Sequence, residues 1–164
     1  MCSTSYRHNQ KGLGMVEVIV VVAMILVGFT AILELFRLQF RNDTTAREDV
    51  KAYALLSEAM EAVRSVRDDN WSNISGLTQG ADYYPAISGN AWVLSGADPG
   101  PIDGYSRWIV FSSVRRDAND DIVDSGGSVD ADTLKVTGSI EWQSGGRTKT
   151  KTLITYLTNW HAKL

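Results

Sequence analysis

From Leu13 to Leu33 the chain runs for twenty-one residues with a single charge, Glu17. At about 1.5 Å per residue, a helix of that length crosses a hydrocarbon core of roughly 30 Å. The stretch "VIVVVAMILVGF" is apolar on every face, and a helix apolar all round needs lipid or a large protein around it. In a chain of 164 residues, lipid is the simpler reading. The pattern then changes without a break. Prolines are absent until Pro85, and apolar residues recur at Ala52, Leu56, Ala59, Val63 and Val66, the alternating four-and-three spacing of one helix face. Glu58, Glu61, Arg64, Arg67 and Asp68 fall off that stripe. One helix is therefore expected from about Leu13 to about Trp71, apolar over 13–33 and amphipathic over 34–71.

Beyond it, the segment 72–105 is rich in Pro, Gly, Ser and Asn and reads as a long loop with one short strand at Ala91–Leu94. Three segments of period two follow. "RWIVFSSVRR" places Trp108, Val110, Ser112 and Val114 on one face. "TLKVTGSIEW" alternates, with Leu134, Val136, Ile140 and Trp142 inward and Lys135, Thr137, Ser139 and Glu141 outward. "TKTKTLITYLTNW" is rich in threonine and β-branched residues, and "QSGGRT" before it carries a Gly-Gly hairpin signal. An antiparallel meander needs a cover for its apolar face, and the stripe from Ala52 to Val66 supplies one. The expected fold class is α+β. Residues 72–164 form a head domain that shares the amphipathic half of the helix.

Composition narrows the function. Net charge is -3, so no global basic field points to nucleic acid or anionic lipid. The single cysteine, Cys2, makes neither an internal bridge nor a metal cluster. No nucleophile–base arrangement, phosphate loop or zinc spacing occurs, so an enzyme is not expected. Glu17 stands out, because an acid inside a membrane-length segment is expensive and usually paired. The apolar run also lacks the small-residue cut site of an ordinary secretory signal.

A basic leader with Arg7 and Lys11 and no acids, then Gly12, then an apolar helix with Glu17 five residues after that glycine, resembles the prepilin signal of type IV pilins, minor pilins and pseudopilins. The resemblance implies a leader over 1–12, cut by a prepilin peptidase between Gly12 and Leu13 on the cytoplasmic side. It implies N-methylation at Leu13 and a role for Glu17 in assembly. The family usually carries Phe where Leu13 stands. Two further departures, no cysteine after the leader and Gly28 instead of a helix-breaking proline, fit a minor pilin or pseudopilin better than a major fibre subunit. The implied fold is the pilin fold, a long N-terminal helix packed on a small antiparallel sheet. Implied partners are other pilin subunits through the N-terminal helix, the prepilin peptidase, an inner-membrane assembly platform and membrane lipid before assembly. The implied location is a single-pass cytoplasmic membrane protein that later enters an extracellular or periplasmic filament. A pseudopilin of a secretion or DNA-uptake machine is the alternative within the class. A membrane-anchored ligand-binding β domain is the alternative outside it.

Two further patterns carry candidate chemistry. Asp117, Asn119 and Asp121 have the D-x-N-x-D spacing that opens a calcium loop, but Ile122 and Ser128 stand where its glycine and glutamate belong. A solvated turn is favoured there over a calcium site, and no other cofactor is indicated. Arg147, Lys149 and Lys151, with Arg115 and Arg116, form a candidate basic ridge. An edge strand guarded by lysine explains it better than contact with DNA.

Overall fold

The computed structural model describes residues 14–160, except the side chains of Arg41 and Asn42. Gly12 and Leu13, with the rest of the segment in which a leader is expected, lie outside the described residues. Helix α1 spans Met15–Asp69 and a short α2 spans Ser72–Ser75. Six strands follow: β1 Asp82–Ser88, β2 Ala91–Ser95, β3 Tyr105–Arg116, β4 Ile122–Val123, β5 Ser128–Ser144 and β6 Arg147–Thr158. The chain divides into two compact units at residues 44 and 45.

In the first unit, α1 passes through Gly28 uninterrupted. Its apolar side chains are exposed all round, among them Met24 at 70% and Phe40 at 71%. Within the described residues this is the one helix long and apolar enough to cross a membrane. Three polar side chains inside it are satisfied locally: the Thr30 hydroxyl donates to the Val27 carbonyl at 2.8 Å, and Arg37 pairs with Glu34 at 2.9 Å.

The second unit is built on the amphipathic part of α1. Ala52, Leu56, Ala59, Val63 and Val66 are all buried, as their spacing predicts, with Met60 and Ala62 beside them. They pack on an antiparallel sheet of order β2-β1-β3-β5-β6, with the two-residue β4 beside the end of β3. The inner face of β5 is the expected one: Leu134, Val136, Ile140 and Trp142 are buried. Gly138 sits among them for a steric reason. A Cβ there would lie 2.8 Å from Met60 Sδ and 3.1 Å from Leu56 Cδ1, so glycine lets the helix approach the sheet. Gly145 and Gly146, both at positive φ, close the β5–β6 hairpin with Ser144 opposite Arg147. Two left-handed residues in a two-residue turn are the signature of a type I′ hairpin.

The structure decides one point that the alternation left open and corrects one expectation. Tyr105, Arg107, Ile109 and Phe111 face the core, so the inward face of β3 is opposite to the one through Trp108, Val110 and Ser112. Both faces of this strand are apolar, and pairing with β5 decides between them. Val114 does point inward, because the register slips between Ser113 and Val114: Ser113 faces Leu134, whereas Val114 faces Asp130. The segment 72–105 is also not a simple loop. It contains α2, whose Ile74 is buried in the core, and the β1–β2 hairpin. Pro85 is tolerated inside β1 because, counted from the closing pair Ser88–Ala91, its pair with Leu94 is a non-hydrogen-bonded one, and on the other side β1 pairs with β3 only at Asp82 and Tyr83.

Candidate functional site

The carboxylate singled out in the sequence lies in the first turn of α1. The Gly14 carbonyl accepts from the amides of Glu17 at 2.9 Å and Val18 at 3.2 Å, which starts the helix. An anion in a first turn is favoured by the helix dipole. Glu17 is exposed between Val16 and Val18, which are exposed too. Among the described residues no cation forms an ion pair with it. An apolar helix surface thus carries one carboxylate near its start. Chemically, this end can take an ammonium or guanidinium from elsewhere.

Asp117, Asn119 and Asp121 are brought together in the turn between β3 and β4. The Asp117 carboxylate and the backbone groups of Asn119 and Asp121 are engaged within that turn. Asp117 Oδ1 accepts from the amides of Asn119 at 2.8 Å and Asp121 at 3.0 Å. The Asp117 amide in turn donates to the Asp121 carbonyl at 3.0 Å. Asp120 takes a positive φ of 69°. This is an Asx-type turn in which aspartate replaces a backbone acceptor. Among the described residues no group of three or more acidic, histidine or cysteine side chains is arranged to hold a metal ion.

The five basic residues do not form one ridge. Arg147, Lys149 and Lys151 pair with the end of β5 near Trp142, whereas Arg115 and Arg116 lie against its beginning at Val129 and Ser128. Lys149 and Lys151 each reach Asp49 at 3.5 Å, over the rings of Trp142 and Tyr53 respectively. Arg115 donates to the carbonyls of Gly126 and Gly127. Arg116 donates to Asp130 at 2.7 Å and to the Asp120 carbonyl. These contacts tie Lys149, Lys151, Arg115 and Arg116 into the fold.

Two features were not anticipated from the sequence. The register slip in β5 opens a polar cleft of about 490 Å³, lined by Arg116, Asp117, Asp120, Asp130, Asp132, Asn159 and Trp160 among others. In it Arg116, then the Thr133 hydroxyl and the Asp132 amide, hold the Asp130 carboxyl down at about 2. The second is Arg107, a cation buried on the inner face of β3. It donates to the Leu55 carbonyl at 2.7 Å and to Glu58 at 2.9 Å, which ties helix to sheet. Its signal in the sequence is the parity of Ile109 and Phe111: if those two face inward, Arg107 must as well. Comparison with family models, with curated proteins and with solved structures gives no match.

Proposed function

We propose that the chain is a structural subunit of a type IV pilus-type filament, most like a minor pilin, made as a membrane precursor and cut between Gly12 and Leu13. The observation that carries this is Glu17: one carboxylate in the first turn of a helix otherwise exposed and apolar to Leu33, which continues as the helix that builds the head domain. A permanent membrane anchor has no need of that acid. A subunit leaving the membrane for a helical assembly has. The cut creates an ammonium at Leu13, four residues, or about one helical turn, before Glu17. In the membrane this end stays near hydrated headgroups. In a filament the apolar helices pack together, and each carboxylate must meet a cation, the ammonium of a neighbouring subunit. An unpaired buried charge costs far more than a paired one, so the pair selects the axial register of the subunits.

The test is processing. Coexpressed with a prepilin peptidase, the chain should lose its first twelve residues, and Gly12→Phe should stay full length. Mass spectrometry finding an intact Met1 on the protein from its native host would overturn the proposal.

A further inference from the structure

Strand β6 is one border of the sheet, and β2 is the other. Edge strands invite pairing, and natural proteins guard them with lysine, proline, bulges or a covering element. The first half of β6 is guarded in this way: Lys149 and Lys151 are held against Asp49 on α1. The second half, "TLITYLT" from Thr152 to Thr158, has no charge, proline or glycine. It pairs without a slip along β5, and Ile154 and Tyr156 are 52% and 44% exposed. The two-residue turn makes Ser144 and Arg147 the closing hydrogen-bonded pair. By the alternation of an antiparallel ladder, the even-numbered residues of β6 then turn their N–H and C=O groups outward. Ile154 and Tyr156 are therefore the positions where the backbone is also open.

The far border has the same character. Strand β2, "AWVLS", is uncharged and free of proline, and no described strand lies on its outer side. Val93 is exposed on the same face as Ile154: Val93 lies opposite Ala86 in β1, Asp82 two pleats along that strand lies opposite Val110, and Val110 and Ile154 both lie opposite Thr137.

We propose that the unguarded half of β6 pairs with β2 of a second copy of this chain. The direction follows from the topology. Every neighbouring pair in the order β2-β1-β3-β5-β6 is antiparallel, so β2 and β6 run the same way. A copy displaced without inversion, as in a polar filament, presents its β2 parallel to β6. Two different edges meeting head to tail give an open array, whereas β6 meeting β6 requires a two-fold axis and closes a dimer. Five residues of edge pairing are too little for a stable interface alone. The contact forms where copies are already concentrated by their helices, and to that extent it rests on the filament reading above.

Cysteine cross-linking of the full chain tests it. With Cys2→Ser as background, Val93→Cys and Ile154→Cys are combined in one chain, and sheared filaments are oxidised. Edge pairing predicts a ladder of multimers from the double variant and monomer from either single variant. Adding Tyr156→Lys, which extends the lysine guard to an exposed position, should remove the ladder without unfolding the head. A dimer from Ile154→Cys alone, or no ladder in assembled filaments, overturns the proposal. If no filament forms, oxidation is done on the membrane fraction. A ladder there keeps edge pairing and removes the filament reading, and its absence there overturns edge pairing.

Discussion

Two side chains show how single residues fix the head domain. Asp130 is ion-paired at 2.7 Å with Arg116, which holds its carboxyl at about 2, below the ordinary aspartate value of 3.8. A carboxyl depressed by folding contributes stability that is complete above its unfolded value and is lost as pH falls through the folded one. The head should therefore weaken between about pH 4 and pH 2, and Asp130→Asn should flatten that part of the profile. Urea unfolding at stepped pH checks this, and equal slopes for both proteins would contradict it. Arg107 is the more buried case. Its guanidinium is 7% exposed, while Glu58 is 48% exposed. Glu58→Ala should cost about 2 kcal/mol by removing a charge-assisted partner from a buried donor. Arg107→Met, which keeps much of the volume, should cost less, because well-packed apolar replacements of buried ions are often neutral. The order of the two melting temperatures is the measurement.

At the level of elements, the central contact is the α1 stripe on the inner face of β5. Leu56→Asn places an amide at a site 1% exposed and should destabilise the head by a few kcal/mol. A variant melting no earlier than wild type would mean that the stripe does not hold the sheet. Gly138→Val should also destabilise the head, since its Cβ would press on the Met60 and Leu56 side chains. Millimolar calcium should leave the melting temperature unchanged, because Asp117 Oδ1 is already spent on two amides. The stripe, the alternation of β5 and the Gly145–Gly146 turn were legible in the sequence because each has its own period or turn chemistry. Strand β1 was obscured by Pro85, although Ser88-Gly89-Asn90-Ala91 is a hairpin signal, with Gly89 at φ 64°. The face of β3 was not legible, because Trp108 and Val110 compete with Ile109 and Phe111 and only the partner strand decides. The cleft beside Arg116 comes from a register slip, and no local pattern in β5 announces one.

At the scale of the whole molecule, two requirements meet in one helix. Its later part must bury a stripe to fold the head. Its earlier part stays apolar and exposed from Met15 to Leu33, apart from Glu17, and a surface of that kind demands lipid or like helices. Glu17 separates these two fates, since the same carboxylate is cheap at a hydrated interface and costly in a dry helical core unless paired. The filament account therefore makes a demand on a single side chain. Glu17→Val should insert in the membrane and be cut after Gly12 as the wild type is. Lacking the charge that sets axial register, it should enter filaments poorly. The direct measurement is the ratio of sheared-filament to membrane-bound protein for the two chains side by side. The account predicts a normal membrane pool with a filament fraction reduced at least several-fold, and equal incorporation of the valine variant would contradict it.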